Sequence, residues 1–367
     1  MQWHQRIACS ILVASFIGCD GQQIATPAAL DAVASASNNG RHYDHDEDDR
    51  GILPLSRFSR GDHNEACDAR SYRAFDFWVG RWNVTNSGGT DLVGTNVVTK
   101  TVDGCAIEEH WSDIAGVRGR SLNTFDSRTQ TWSQLWMDQT GGALELSGTG
   151  NGYRMQLAGT HPTSRVDPTP FTDRITWTIA GRNRVRQLGE ASVDGGAFST
   201  IYDLTYSAVR HQTAIAPSTL EFCSSPSRPR YHAFDFILGD WTVRRGGSPS
   251  KIRSSVSTDL GGCLVEERMS GPRGYEAVAY SGFRSTTFVW NWMFMDNRGV
   301  QLLLSGPATL TGNTMTLTGR KTDRQGRIVD VRLDWISTGA TTVEQHWSFS
   351  TDGGVTWSTP DVLVMSK

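Results

Sequence analysis

The chain has 367 residues and a formal net charge of −3, from 35 Lys and Arg against 38 Asp and Glu. The basic residues are scattered, which argues against a nucleic-acid-binding surface, and no nucleic-acid partner is expected. Gly (38) and Trp (13) are abundant, and short apolar stretches are separated by Gly, Asn, Asp and Ser, a pattern typical of an all-β protein.

The first residues have the composition of an export signal. A positively charged start precedes an uncharged, mostly apolar run over 7–18, which is too short to span a membrane, so residues 1–18 are predicted to be a signal peptide. The run ends Phe16-Ile17-Gly18-Cys19, which resembles a bacterial lipobox. Lipidation of Cys19 would be the only attachment to a membrane, and the alternative is ordinary secretion with Cys19 incidental. Both interpretations place the protein outside the cytoplasm, in the cell envelope, the periplasm or the medium.

Residues 19–66 show no periodicity and include the acidic run Asp44-His45-Asp46-Glu47-Asp48-Asp49. His42, His45 and the acids offer a loose metal site, but nothing in the segment can bury a core. We therefore predict a disordered acidic linker. No cofactor and no metal is expected anywhere in the chain, because no His-x-His or His-Glu-x-x-His pattern exists and His110 and His346 are not equivalent.

The rest of the chain contains two copies of one sequence. Residues 74–82 return as 233–241, and the matching continues to the end of each copy. A period of this length is too large for a solenoid or a propeller blade, so each copy is predicted to be a domain, over 67–212 and 213–367. Further matched pairs are Glu109/Glu267, Trp132/Trp290, Met137/Met295, Trp177/Trp335 and Gln187/Gln345.

Four cysteines remain after Cys9 and Cys19: Cys67, Cys105, Cys223 and Cys263. They allow three pairings. Only Cys67–Cys105 with Cys223–Cys263 gives each repeat the same internal disulfide, and this pairing is predicted.

Each copy contains about ten strand-like runs separated by turn residues, and no amphipathic helix of useful length. Consecutive antiparallel strands joined by short turns favour an up-and-down barrel or a sandwich. In the first copy the predicted strands are 76–85, 92–102, 105–113, 120–126, 131–138, 143–149, 152–159, 172–180, 184–193 and 198–208.

The run Phe75 to Trp82 reads Phe-Asp-Phe-x-x-Gly-x-Trp and resembles the start of lipocalin and calycin barrels. Together with Gly104–Glu109, Trp132–Asp138 and Ser192–Gly196 it is more similar to an uncharacterised family of secreted bacterial calycin-like domains. The resemblance implies two tandem calycin-like or lipocalin-like antiparallel β-barrels of about ten strands each. It also implies that the first-strand Trp lies under a basic residue, with Trp82/Arg210 and Trp241/Lys367 as the candidate pairs. That family has no established common activity.

Ser350 to Trp357 satisfies the Asp-box pattern of sialidases, but it has only one degenerate counterpart, at the domain period. We interpret Asp352 as a cap for the backbone amides of a Gly-Gly hairpin rather than as part of a hydrolase.

Alternation along the third strand places Ile107, Glu109 and Trp111 on one face, predicted to point into the barrel, and places Glu108 and its counterpart Glu266 towards solvent or a rim. A buried Glu needs partners, and Gln187 is the candidate. Glu109 is either a ligand anchor, a general acid/base or a member of a structural hydrogen-bond network.

The fifth strand and its counterpart are apolar on both faces, which predicts burial on both: one face lines the barrel, and the other covers the second barrel or a ligand patch. The polar residues of this region change between copies, since Ser121 and Asn123 become Ala279 and Ser281. If one pocket keeps a polar function, it is therefore the first. The candidate ligand-binding residues are Glu109, Gln187, Trp132, Gln134, Trp136, Ser121 and Asn123.

The leading hypothesis is an exported protein of two packed barrels that binds an apolar or amphipathic small molecule. This hypothesis is based on the resemblance of the fold to calycin-like barrels. The alternatives are a barrel enzyme, an isomerase, cyclase or hydrolase with Glu109 as acid/base, and a structural module of the envelope with filled barrels.

Overall fold

The computed structural model describes residues 67–245, 252–323 and 325–367, which form two closed antiparallel barrels of ten strands each. The predicted all-β fold of two tandem barrels is confirmed. The predicted signal peptide, Cys19 and the acidic linker lie outside the described residues. None of the helices in the described ranges is both long and apolar enough to cross a membrane.

The first barrel runs up and down in chain order and closes by pairing β1 with β10. Its strands are β1 Gly80–Asn86, β2 Leu92–Thr101, β3 Ala106–Asp113, β4 Arg118–Asp126, β5 Thr131–Asp138, β6 Ala143–Gly150, β7 Arg154–Pro162, β8 Pro170–Gly181, β9 Arg184–Val193 and β10 Ser199–Ala208.

The second barrel repeats this order and closes by pairing its first strand with its last. Its strands are β11 Gly239–Arg245, β12 Ile252–Asp259, β13 Leu264–Gly271, β14 Tyr275–Arg284, β15 Val289–Asp296, β16 Gln301–Pro307, β17 Thr314–Thr322, β18 Ile328–Gly339, β19 Thr342–Ser350 and β20 Asp361–Ser366.

A short plug closes one end of the first barrel. It consists of the 3-10 helices Arg70–Arg73 and Asp76–Trp78, so β1 begins four residues later than the strand predicted over 76–85. A strand would turn Phe75 and Trp78 to opposite faces, whereas the helical turn stacks them at 4.9 Å between ring centroids. Both rings are fully buried, and Phe75 also packs edge-on against Trp177 at 5.1 Å. Burial of two aromatic rings outweighs the local strand pattern here.

The predicted disulfides Cys67–Cys105 and Cys223–Cys263 are both present. The second barrel has the equivalent plug, the 3-10 helices Pro229–His232 and Asp235–Ile237. In each barrel the bond joins the segment before the plug to the corner between the second and third strands. The basic residue expected over the first-strand Trp is present in the second barrel, where Lys367 Nζ lies 4.7 Å from the Trp241 ring. Among the contacts of the described residues, Arg210 makes no such contact with Trp82.

The outer faces of β4 and β5 pack against β14 and β15 of the second barrel. Gly282 allows the closest approach, since a Cβ there would lie 1.9 Å from Met137 Sδ. Thr124 Oγ1 lies 3.7 Å from Met293 Sδ and accepts a hydrogen bond from Gln301 Nε2 at 2.6 Å. The two-sided apolarity of β5 therefore has a partner on each side: the barrel interior and the second barrel.

A charged network crosses the same contact. Arg120 Nη1 donates to Glu266 at 2.8 Å and to Asp259 at 2.9 Å, and Arg268 donates to Glu108 and Glu266. Glu108 and Glu266 are buried, so the expectation that they face solvent or a rim is wrong. Strand alternation correctly turns them out of their barrels, but the other barrel covers them.

Candidate functional site

A cavity of about 580 Å³ lies inside the first barrel and opens at the end opposite the plug. The turns after β5, β7 and β9 surround its mouth. Three residues of the second barrel, Arg284, Ser285 and Thr286, complete this rim. The cavity is therefore enclosed mainly by one barrel and bordered by both.

The apolar wall carries large aromatic rings that pack directly against glycines on the neighbouring strands. Trp136 of β5 lies over Gly119 of β4, where a Cβ would approach its ring to 2.2 Å. Tyr202 of β10 lies over Gly189 of β9 in the same way, at 2.3 Å. These glycines set how far the rings reach into the interior, because any side chain in their place would push the rings inward. Leu144, Ile175 and Leu204 also belong to the apolar wall.

Glu109 is the buried acid of the cavity and the centre of a hydrogen-bonded group, here called the Glu109 cluster. Its Oε1 accepts from Asn96 Nδ2 at 2.6 Å and its Oε2 accepts from Ser121 Oγ at 2.8 Å. Asn123 Nδ2 donates to Ser121 Oγ at 3.0 Å, and Gln134 Nε2 donates to Asn123 Oδ1 at 2.8 Å. Residues of four adjacent strands are thus joined through one carboxyl group.

Burial raises the pKa of Glu109 to about 7, although the hydrogen bonds from Ser121 and Asn96 act in the opposite direction. Removal from water disfavours the charged form more than two donors favour it. Near neutral pH the group is therefore present in both forms. It accepts hydrogen bonds as a carboxylate and donates one as a carboxylic acid.

Two tyrosines of β10 extend the polar surface. The Tyr206 hydroxyl donates to Gln187 Oε1, and Tyr202 lines the cavity beside it. Burial raises the pKa of both phenols, and the nearby Glu109 carboxyl raises it further. They therefore stay protonated and available as donors. The sequence analysis missed both residues, although the inward spacing of Tyr202, Leu204 and Tyr206 and their replacement by Asp361, Leu363 and Met365 were visible signals.

The structure brings most of the predicted site residues together. Glu109, Gln134, Trp136 and Gln187 line the cavity, while Ser121 and Asn123 lie behind Glu109 with no exposed surface. Gln187 bonds to Tyr206 rather than to Glu109, whose partners are Asn96 and Ser121. Trp132 is elsewhere: its ring packs against Phe75 of the plug at 5.7 Å, and its Nε1 donates to Ser71 O at 3.3 Å.

The second barrel keeps the acid but fills the space. Burial also raises the pKa of Glu267 to about 7, and Ser254 Oγ donates to its Oε1 at 2.6 Å. Trp292 replaces Gln134 and stacks on Phe294 at 5.5 Å, while Trp347 occupies the position of Gly189 and lies 6.2 Å from Trp292. Each ring is at most 3 % exposed, so large aromatic side chains occupy interior positions that Gln134 and Gly189 hold in the first barrel.

The Asp-box motif is a turn cap, as predicted. Asp352 accepts hydrogen bonds from the Thr356 amide at 2.9 Å and from its hydroxyl at 2.6 Å, which lowers the pKa of the carboxyl group. Ser350 Oγ accepts from Gly354 N at 2.9 Å. All these partners belong to the β19–β20 turn. Within the described ranges, His, Cys, Asp and Glu form no group suited to holding a metal ion.

Neither a family model nor a curated protein matches the chain. Among solved structures, it is similar to a protein of unknown function from the DUF3598 family of Nostoc punctiforme PCC 73102, at 8 % identity over 81 % of this chain and 97 % of that chain, with a TM-score of 0.19. It is also similar to a mutant of transferrin binding protein B from Haemophilus parasuis Hp5, at 8 % identity over 68 % of this chain and 66 % of that chain, with a TM-score of 0.18. Similarity of this degree carries no inference about function.

Proposed function

We propose that the protein is an exported binding protein for a small apolar or amphipathic molecule, held inside the first barrel. The observation that carries this proposal is the cavity of about 580 Å³, whose wall is mostly apolar and which holds a small number of polar groups in its interior, Glu109 and Gln187 among them. Small-molecule sites have this size and this composition: a largely apolar concave surface with a few placed polar groups. At the equivalent positions of the second barrel Trp292 and Trp347 replace Gln134 and Gly189, which supports a role for that barrel as a scaffold.

Export is supported by the two disulfides, which persist in oxidising compartments outside the cytoplasm. The N-terminal sequence supports the same location. A lipid on Cys19 would attach the protein to a membrane, with the predicted acidic linker between the lipid and the first barrel. Cell fractionation, with Cys19→Ser as the comparison, tests the anchor.

Within the cavity, we assign the polar end of the ligand to Glu109, Gln187 and the hydroxyl of Tyr202. A ligand hydroxyl or carbonyl at this place meets an acid that donates or accepts according to its protonation state. The apolar part of the ligand then lies along Trp136, Leu144 and Leu204. Trp111 and Ile175 extend this apolar surface towards the mouth.

The first prediction uses the second repeat as a guide to filling the first. The variant Ser121→Ala/Asn123→Ser/Gln134→Trp carries the residues that the second barrel has at these positions, Ala279, Ser281 and Trp292. Native mass spectrometry of the wild-type protein, purified from its own host, should show a retained ligand, and the variant should carry none. The added indole occupies the space next to Glu109, so binding should fall by at least about 100-fold, equivalent to about 3 kcal/mol.

The matched control is Trp347→Phe in the filled second barrel, which should leave the retained ligand in place. Circular dichroism must show the same β-sheet signal for all three proteins. A ligand retained in full by the folded triple variant, or a wild-type protein that carries and binds nothing, would contradict the proposal.

An enzyme is the second candidate, and the raised pKa of Glu109 is the observation that favours it, because a general acid/base works best with a pKa near the operating pH. Incubating the recovered ligand with wild-type protein and with Glu109→Gln separates the two functions. Conversion by the wild type that drops on the order of 100-fold in the variant, with binding kept, identifies catalysis. An unchanged ligand identifies a binding protein.

A further inference from the structure

Arg284 is a buried cation at the mouth of the cavity, and it comes from the other barrel. It ends β14 and is 9 % exposed, and its side chain lines the cavity of the first barrel. Its Nε donates to Ala143 O of β6 at 3.0 Å. That bond fixes the guanidinium group at the rim of the first barrel with its two Nη groups still available.

The carboxylates that line this mouth have partners other than Arg284, and Glu145 of β6, which is not part of the lining, lies beyond ion-pair distance from it. Asp173 pairs with His161 at 3.0 Å, and Glu190 pairs with Arg174 at 2.9 Å. Asp138 Oδ1 accepts from the amides of its own turn, at Thr140 and Gly142. Arg284 forms no ion pair with a carboxylate in the part of the chain that the structure describes. Burial lowers the pKa of its guanidinium group, while the negative charges of Glu145 and Asp173, which form no ion pair with it, act to raise this pKa.

A buried guanidinium group without an anionic partner is costly to keep, and a bound anion offsets that cost. Its two Nη groups suit a carboxylate, which accepts two parallel hydrogen bonds from an arginine. The residue is also specific to this repeat, since the equivalent position 158 residues earlier is Asp126. The cation is therefore present at the mouth of the open barrel, and an acid takes its place at the corresponding turn of the first repeat.

Building on the proposed function, we infer that the ligand is an amphiphile with a carboxylate, and that Arg284 of the second barrel binds this carboxylate at the mouth of the first. The apolar body of the ligand then extends inward to the Glu109 cluster, where a second polar group of the ligand is bound. The second barrel thus supplies part of the site, and neither repeat alone contains all of it.

The test compares two probes that differ only in the charged group: dansyl-labelled undecanoic acid and the corresponding primary amide. Fluorescence titration gives the Kd of each for the wild type, Arg284→Gln and Arg284→Met, at a pH where the acid is ionised. The matched control is Arg320→Gln, an exposed arginine of β17 that pairs with Asp330. We expect the wild type and the control to bind the acid about tenfold more tightly than the amide, the usual value of a charge-assisted hydrogen bond.

Both Arg284 variants should bind the two probes equally, with the affinity for the amide unchanged. The methionine variant provides a second neutral side chain of similar length if the glutamine variant does not fold. Binding of both probes without any preference in the wild type, or a preference that survives in both variants, would overturn the inference and leave the proposed function standing. Failure of the wild type to bind either probe would overturn both.

Discussion

Glu109 and Glu267 occupy equivalent positions in two different environments. Glu109 faces a cavity and accepts two side-chain hydrogen bonds, whereas Glu267 is 3 % exposed and accepts one, from Ser254. Glu267 Oε2 has no hydrogen-bond partner among the described residues. A buried carboxyl group with too few donors is most stable in its neutral form. The two acids therefore link the stability of the fold to pH.

The pH dependence of stability is the prediction at this scale. For both acids the pKa in the folded state is raised from 4.5 to about 7, so the folded protein binds these protons more tightly than the unfolded chain does. Each acid therefore adds stability below about pH 4.5 that is lost as the pH rises to about 7, on the order of 3 kcal/mol. Glu109→Gln and Glu267→Gln should each flatten the decline of the unfolding free energy over this range, measured by urea denaturation.

Glu276→Gln, on the exposed side of β14, is the matched control and should leave the slope unchanged. The double variant Glu109→Gln/Glu267→Gln should remove about twice as much of the slope as either single change. A double variant with the wild-type slope would show that neither carboxyl group is protonated in the folded state at neutral pH.

At the residue scale, the sequence predicted which face of β3 points inward but not what covers the other face. Alternation correctly separates Glu109 from Glu108, because the side chains of a strand point to opposite sides. It gives no information about the partner of the outer face, and a charged residue there looks exposed. Arg284 was missed for the same reason: its role depends on a contact between repeats that are distant in sequence.

Among the elements, the plug of the first barrel has the most influence on the site. It closes one end of the barrel with Phe75 and Trp78, so that the cavity opens at one end only. The strand ladder was predictable because each run of alternating residues ends at a turn residue, and all ten strands of the first copy lie within a few residues of their predicted ranges. The plug was not predictable, because Phe75-Asp76-Phe77 alternates like a strand. The helical turn is more stable than a strand here only because it buries both Phe75 and Trp78.

The disulfide of this plug carries the second stability prediction. Cys67 and Cys105 are 38 residues apart in sequence, and removing a crosslink over such a loop costs about 4 kcal/mol in the loop-entropy model. Cys67→Ser/Cys105→Ser should lower the urea midpoint and release the plug, seen as a change in tryptophan fluorescence.

The equivalent pair in the second barrel, Cys223→Ser/Cys263→Ser, spans 40 residues and should cost a similar amount. Because the ligand is expected in the first barrel only, the first double variant should weaken probe binding and the second should not. A loss of less than about 1 kcal/mol in both variants would show that the plugs stay in place without their crosslinks.

In the whole molecule, the two barrels meet through outer faces that combine apolar packing with a buried ionic network. Arg120 is its central cation, with Glu266, Asp259 and the Tyr280 hydroxyl as partners. Each barrel also contacts one end of the other: Arg284 to Thr286 border the cavity of the first barrel, and Arg128 Nη1 donates to Thr322 O at the end of β17 at 2.7 Å. The contact between the two barrels therefore also forms part of the cavity mouth.

Arg120→Val tests the network, since valine is the residue of the second repeat at this position, Val278. Removing one partner of a buried ionic group leaves the remaining charges uncompensated and costs about 3–5 kcal/mol. Unfolding followed by calorimetry should split into two transitions as the barrels lose their mutual support. The control is Arg332→Met, which removes a half-exposed ion pair with Asp334 and should cost about 0–1 kcal/mol. A single transition at the wild-type temperature in Arg120→Val would show that apolar packing alone holds the barrels together.

The rim shared by the two barrels has a consequence for the rate at which a ligand dissociates. Because the turn after β14 forms one side of the mouth, a molecule bound in the cavity as proposed would pass next to the second barrel when it leaves. The residence time of the ligand should then depend on how strongly the two barrels hold together, although the Arg120 network does not contact the ligand. In stopped-flow experiments the ligand should dissociate faster from Arg120→Val than from the wild type, while the ratio of the Kd values for the acid and the amide stays similar. Because the two repeats belong to one polypeptide, the turn after β14 stays next to the cavity of the first barrel at a fixed effective concentration, however dilute the protein becomes.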